Sequence, residues 1–209
     1  MKPEAPLVFI VDDDSSVCSS TKRVLETEGF AVRTFANPDS LFAHGRPNGP
    51  CCLVLDVHLD GGQDGISYYE RLVQSGMSIP AVFITAFGSV PMSVRAMKLG
   101  AVDFLPKPFD PEQLAACVLD ALEKDEQSLA AQRRDAQLRH RYQLLTSRQR
   151  EIFADVTSGK LNKQVAFDRR ITERTVKLHR ARVMDKMEAQ SFAELVGMAR
   201  DLDVAAQAH

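Results

Sequence analysis

Five short apolar runs, each closed by turn residues, limit what this chain can fold into more than any other feature. They occupy residues 7–11, 31–35, 52–56, 81–85 and 102–105, all in the first half of the sequence. β-Branched and aromatic side chains fill them, and Asp, Gly, Asn or Pro bound them, which predicts strands. The stretches between carry helical spacing, as in Val17, Val24, Leu25 and Glu28 before Gly29. Strands alternating with helices predict an α/β fold, a doubly wound five-stranded parallel sheet. In such a sheet ligands gather beyond the carboxyl ends of the strands.

The strand ends therefore have to be taken together. Asp12-Asp13-Asp14 follow the first strand, Asp56 ends the third, Thr85 ends the fourth and Lys107 lies just past the fifth. Carboxylates, one hydroxyl and one ammonium would converge on one sheet edge. In "VLDVHLDGGQDG" an EF-hand would begin at Asp56, but His58 and Ser67 then stand at its third and twelfth positions. Too few hard oxygens remain for calcium. An aspartyl nucleophile fits better, provided the repulsion between two anions is relieved. Magnesium (or manganese) held by Asp13 and Asp56, with Asp12 behind them, would relieve it. Lys107 would neutralise a phosphoryl oxygen and Thr85 would donate to another. Asp14 is expected to cap the first helix. Asp60 and Asp64 are expected to be solvated loop residues, and the Lys107–Pro108 bond is a candidate for cis.

Charge divides the chain. Residues 1–110 carry 9 basic and 13 acidic side chains, whereas residues 146–187 carry 11 basic and 5 acidic. A basic block of this kind points to nucleic acid as its partner. The four cysteines lack CxxC spacing and read as reduced, buried thiols. No apolar run approaches membrane-spanning length and Met1-Lys2-Pro3-Glu4 is not a signal sequence, so a cytoplasmic protein without a membrane partner is expected.

From residue 111 to 145 turn signals are nearly absent, and Leu114, Val118, Leu122, Leu129, Leu138, Tyr142 and Leu145 keep a loose helical period. One long helix is expected, closing the first domain and continuing as a linker. Its stripe is too irregular for a coiled coil. Four short helices should follow. Thr146 with Gln149, and Ser191 with Glu194, have capping-box spacing. The third, "TERTVKLHRARVMDKM", would bury Val176, Val183, Met184 and Met187 and turn Arg174, Lys177, Leu178, Ala181, Arg182 and Asp185 outward. Two short helices in succession, the second basic, form a helix-turn-helix that would lie in a major groove. Lys177 would reach guanine, and Leu178 and Ala181 a thymine methyl. Asn162, Lys163 and Arg180 would hold phosphates. Phe167 and Phe192 are expected in the core.

"IVDDD", "VLD", "ITA" and "DFLPKPF" resemble the receiver domain of bacterial response regulators, and "TAFGSVPMSVRAMKLGAVDFLPKPF" is similar to the FixJ subgroup. "LTSRQREIF", "NKQVA" and "TERTVKLHRARVMDKM" resemble the LuxR/GerE-type helix-turn-helix of FixJ- and NarL-like regulators. The resemblance implies a flavodoxin-like receiver (1–125), a helical linker (126–144) and an all-α DNA-binding domain (145–209). Asp56 would accept phosphate from a sensor histidine kinase. Asp12, Asp13, Asp56 and the main-chain carbonyl of His58 would bind magnesium. Thr85 and Phe104 would form the switch, and Lys107 would contact the phosphoryl group. Lys177, Leu178 and Ala181 would read bases, with Arg174 beside them. Phosphorylation would promote a homodimer on double-stranded operator DNA, with RNA polymerase a further partner. The protein would not be an enzyme beyond phosphorylating itself from small donors and slowly losing the phosphate.

One departure stands out. Receivers of this type follow the acceptor strand with Met-Pro and place a loop glycine eight residues after the aspartate; here Leu59-Asp60 stand there and Gly65 lies nine on. A longer, more acidic loop is expected. It keeps open a phosphate-independent receiver acting only in dimerisation. A haloacid-dehalogenase-type hydrolase would need DxDxT, and Asp56-Val57-His58 lacks the second aspartate.

Overall fold

The computed structural model describes residues 5–59 and 63–204. Its five-stranded sheet is parallel throughout. The strands are β1 (Leu7–Val11), β2 (Ala31–Phe35), β3 (Cys51–Asp56), β4 (Ala81–Thr85) and β5 (Asp103–Pro106), in the order β2-β1-β3-β4-β5. Around it lie α1 (Ser15–Thr27), α2 (Pro38–His44), α3 (Gly65–Gln74), α4 (Val90–Lys98) and α5 (Pro111–Gln143). The strand order reverses between β1 and β3, which opens a crevice at their carboxyl ends.

The apolar pattern explains the layers. β3 and β4 are buried at every residue, as central parallel strands covered on both faces must be. Alternation then assigns the faces. Leu53, Leu55, Phe9 and Phe83 pack with Leu41, Tyr69 and Leu72. Cys52, Val54, Val8 and Ile84 pack with Leu25, Leu114 and Val118 on the other side. β2 lies at the edge and stays largely exposed. All four cysteines are free and buried.

Backbone contacts divide the chain into two compact units, Met1–Leu129 and Ala130–His209. In the first, α5 buries Leu114, Val118, Leu122 and Asp125. In the second, Leu138 and Tyr142 of the same helix pack on a core of Ile152, Phe153, Val165, Val176, Val183, Met187 and Leu195. The remaining helices are α6 (Ser147–Thr157), α7 (Asn162–Asp168), α8 (Glu173–Met187) and α9 (Phe192–Asp201). Thr146 and Gln149 close the expected capping box. At α9, Ser191 accepts from Glu194 N, while the Glu194 carboxylate takes Gln190 N, one residue earlier than expected.

The two expected core phenylalanines are a correction. Phe167 is 84% exposed and Phe192 41% exposed. On the two-turn α7 the inward arc is filled by Val165 and Ala166, and the next position points outward. No helix among the described residues is long and apolar enough to cross a membrane.

Candidate functional site

β1 and β3 pair in register from Leu7 opposite Cys51 to Val11 opposite Leu55. That register brings the carboxylates after β1 level with Asp56 at the end of β3. Asp14 leaves the cluster, because its carboxylate accepts from Ser16 N and Val17 N as the cap of α1. Asp12 and Asp56 are buried and Asp13 is half-buried, and one oxygen of each lies within 4.8 Å of the others. Lys107 is carried across from the end of β5. Its ammonium donates to Asp12 Oδ2 and to Asp56 Oδ2, each at 2.7 Å. The Lys107–Pro108 bond is cis, as expected.

The charges there are unequal. Burial pushes the Asp12 carboxyl above its ordinary range, against bonds from Lys107 and from Asp14 N. Burial works in the opposite sense on Lys107, but bonds to both carboxylates outweigh it and hold the ammonium above its usual value. Three clustered carboxylates facing a single bonded ammonium suit a hard divalent cation with oxygen ligands, and the donor set contains no sulfur or nitrogen. Magnesium is one such cation. The main chain after β3 also turns back on the site, since His58 N donates to Asp56 Oδ1 at 3.1 Å.

Thr85 is fully buried, and its hydroxyl oxygen accepts from Phe87 N at 3.2 Å. His58 Nδ1 lies 3.2 Å from the same oxygen. Phe104 is half-buried, its ring 6.3 Å from Phe83. Thr85 and Phe104 meet at Gly88: a β-carbon there would stand 3.2 Å from the Thr85 methyl and 3.0 Å from the Phe104 ring.

Two more features went unseen in the sequence. A β-carbon on Gly65 would collide with the Asp56 main-chain oxygen, so this glycine lets α3 start directly against β3. Asp64 is not simply solvated. It caps α3 through Ile66 N and bonds Arg95 of α4 at 2.8 Å, and Arg95 also reaches Glu70. Burial raises its pKa, but the bonds from Ser67, Ile66 N and Arg95 prevail and hold it below the ordinary range. Asp64 standing directly before a helical stretch was the signal that could have marked the cap, whereas Arg95 lies 31 residues away and no local signal marks it. Asp60 lies outside the described residues.

In the second unit, Arg174, Lys177, Leu178 and Ala181 are exposed along α8, while Val176, Val183 and Met187 are buried, as the period predicts. Lys163 is exposed on α7. Asn162 and Arg180 are brought together at 2.7 Å, and the Arg180 guanidinium stands over the Phe192 ring at 5.0 Å. Burial leaves His179 Nδ1 without a partner.

Residues 8–119 match the model of the response regulator receiver domain, and residues 143–199 that of bacterial regulatory proteins of the luxR family. Nodulation protein W of Bradyrhizobium diazoefficiens is 40% identical over 96% of this chain and 88% of its own length. The transcriptional regulatory protein FixJ of Rhizobium meliloti is 37% identical over 92% and 94%. Among solved structures, the response regulator StyR is similar with a TM-score of 0.85 at 39% identity, covering 94% of this chain and 99% of that one. Full-length FixJ from B. japonicum aligns over the whole of both chains at 32% identity with a TM-score of 0.55. With both domains matched, and relatives similar along nearly its whole length, the chain belongs to the response regulators that join a receiver domain to a luxR-family DNA-binding domain, and it regulates transcription.

Proposed function

We propose that Asp56 is the phosphoacceptor of this regulator and that a sensor histidine kinase is the donor. The observation that carries it is the Lys107 ammonium shared between Asp12 and Asp56 inside a cluster of three carboxylates at the sheet's switch point. Asp12, Asp13, Asp56 and the His58 main-chain carbonyl would hold the magnesium, which when bound offsets the negative charge an incoming phosphoryl group meets. Asp56 Oδ attacks phosphorus, the P–N bond to the kinase histidine breaks, and an acyl phosphate forms. Lys107 then exchanges a carboxylate oxygen for a phosphoryl oxygen. Thr85 turns its hydroxyl to another phosphoryl oxygen, and Phe104 fills the space beside Gly88 that the threonine leaves. The change is one of charge acting on a two-state element.

The output is DNA binding. α8 presents Lys177, Leu178 and Ala181 to base edges, with Arg174 alongside. Asn162, Lys163 and Arg180 hold phosphates. Phosphorylation favours a homodimer that sets two α8 helices on an operator, and RNA polymerase is the partner downstream. The working parts are a receiver over 1–125, a linker over 126–144 and a DNA-binding domain over 145–209, acting in the cytoplasm. The protein turns over no substrate beyond gain and loss of its own phosphate.

Incubating the protein with acetyl phosphate and magnesium tests the acceptor. Wild type should gain acid-labile phosphate and Asp56→Asn should gain none. Equal labelling of the two would overturn the assignment.

A further inference from the structure

His58 would serve the magnesium through its main chain alone, yet its side chain stands beside Thr85. The imidazole Nδ1 is 3.2 Å from the Thr85 hydroxyl oxygen. The ring also meets Phe87 edge to face, with centroids 6.4 Å apart and planes at 90°. Both anchors are separate from the bond that His58 N makes to Asp56 Oδ1. The imidazole is therefore steered by two neighbours toward one oxygen, although the residue is exposed.

We infer that the His58 side chain is a latch on Thr85, holding the switch hydroxyl in its resting position until a phosphoryl group on Asp56 displaces it. A hydroxyl has one proton and two lone pairs. Phe87 N–H occupies one lone pair of Thr85 Oγ1. If His58 Nδ1 is unprotonated, the hydroxyl's single proton points to it and is not free for a phosphoryl oxygen. If Nδ1 carries the proton, it donates to the remaining lone pair and still fixes the oxygen. In either tautomer, the bond between His58 and the Thr85 hydroxyl is given up when Thr85 moves toward Asp56. The latch then opposes switching by about the weight of one neutral hydrogen bond, three- to tenfold in the switching equilibrium. The His58 side chain acts through Thr85, which makes it a positioning residue.

The latch rests on Asp56 being the acceptor, and the test separates the two. Beryllium fluoride with magnesium, a phosphoryl mimic, is titrated into the full chain by calorimetry. His58→Ala should lower the half-saturating concentration about three- to tenfold. His58→Asn, whose amide can stand where Nδ1 does, should return it toward wild type. In a Thr85→Ala background, His58→Ala should change nothing, because the latch has no oxygen to hold. An unchanged half-saturation in His58→Ala overturns the latch, and so does an equal fall in the Thr85→Ala background. Wild-type binding by Asp56→Asn would instead overturn the acceptor assignment beneath it.

Discussion

At the residue scale, the site depends on a glycine as much as on its carboxylates. Gly65 N donates to Val57 O at 2.8 Å, and the absence of a β-carbon lets α3 begin against the Asp56 carbonyl. Gly65→Ala would push backbone against backbone, which cannot be relieved by rotating a side chain. It should destabilise the first unit by about 1–3 kcal/mol, the usual cost of overpacking, and slow labelling of Asp56. Urea unfolding with parallel acetyl phosphate labelling measures both, and wild-type values for each would refute it. A second residue-scale expectation concerns Arg180, which bonds Asn162 and lies over Phe192. Losing the ring in Phe192→Leu should cost about 0.5–1 kcal/mol of operator affinity, uniformly across operator sequences. The same substitution should have little effect once Arg180 is already alanine, and gel-shift titration of the double-mutant cycle checks it.

At the element scale, the turn between α7 and α8 decides how the helix-turn-helix is presented. Arg169 donates to the buried Asp155 of α6 at 2.7 Å, and Lys160 reaches the same carboxylate at 3.1 Å. Burial raises the Asp155 pKa, but bonds from Arg169 and Lys160 prevail and hold it below the ordinary range. The sign follows from linkage. A folded pKa below the unfolded one gives stability that is present above the unfolded value and lost as pH falls through the folded one. Asp155→Asn should therefore flatten the acid limb of the second unit's unfolding curve below about pH 4, near the unfolded aspartate value. An acid limb identical to wild type would remove Asp155 from the account. Next to this network, Arg170 holds φ at 53°, a left-handed conformation that costs a side chain about 1 kcal/mol relative to glycine. Arg170→Gly should raise the thermal midpoint of the second unit by a few degrees. An unchanged or lowered midpoint would refute strain at Arg170.

At the scale of the whole molecule, two cores share one helix. The division at Leu129 and Ala130 falls where α5 runs out of core-facing side chains, with residues 130–137 all exposed. Just before that stretch, the buried Asp125 accepts from Arg46 at 2.7 Å and from Cys51 N at 2.8 Å. This ties α5 to the start of β3, the strand whose other end carries Asp56. Asp125→Ala would leave Cys51 N and Arg46 without that partner. The loss should be about 2–3 kcal/mol, less than for a wholly buried pair because Arg46 stays partly solvated. Calorimetry of the full chain should show the transition of the first unit lowered and that of the second unmoved. Equal lowering of both would show the units to be one cooperative body.

Much of this was legible in the residues, and the reason is local. Strand, helix and cap signals act over a few positions, so the five strands, the long helix and the Asp14 and Thr146 caps followed from apolar period and turn chemistry. The ordered strand ends with Asp12, Asp56, Thr85 and Lys107 followed from the rule that parallel sheets gather function at one edge. What the tertiary structure alone decided are contacts between residues remote in sequence. Arg95 on Asp64, Asp125 beneath β3, and the His58 imidazole on Thr85 have no periodic trace, because nothing in a local pattern records which side chains a fold brings face to face. The outward turn of Phe167 was decided in the same way, by how little inward arc a two-turn helix offers. The sequence thus determined which groups gather at the strand ends, and packing decided which neighbours restrain them.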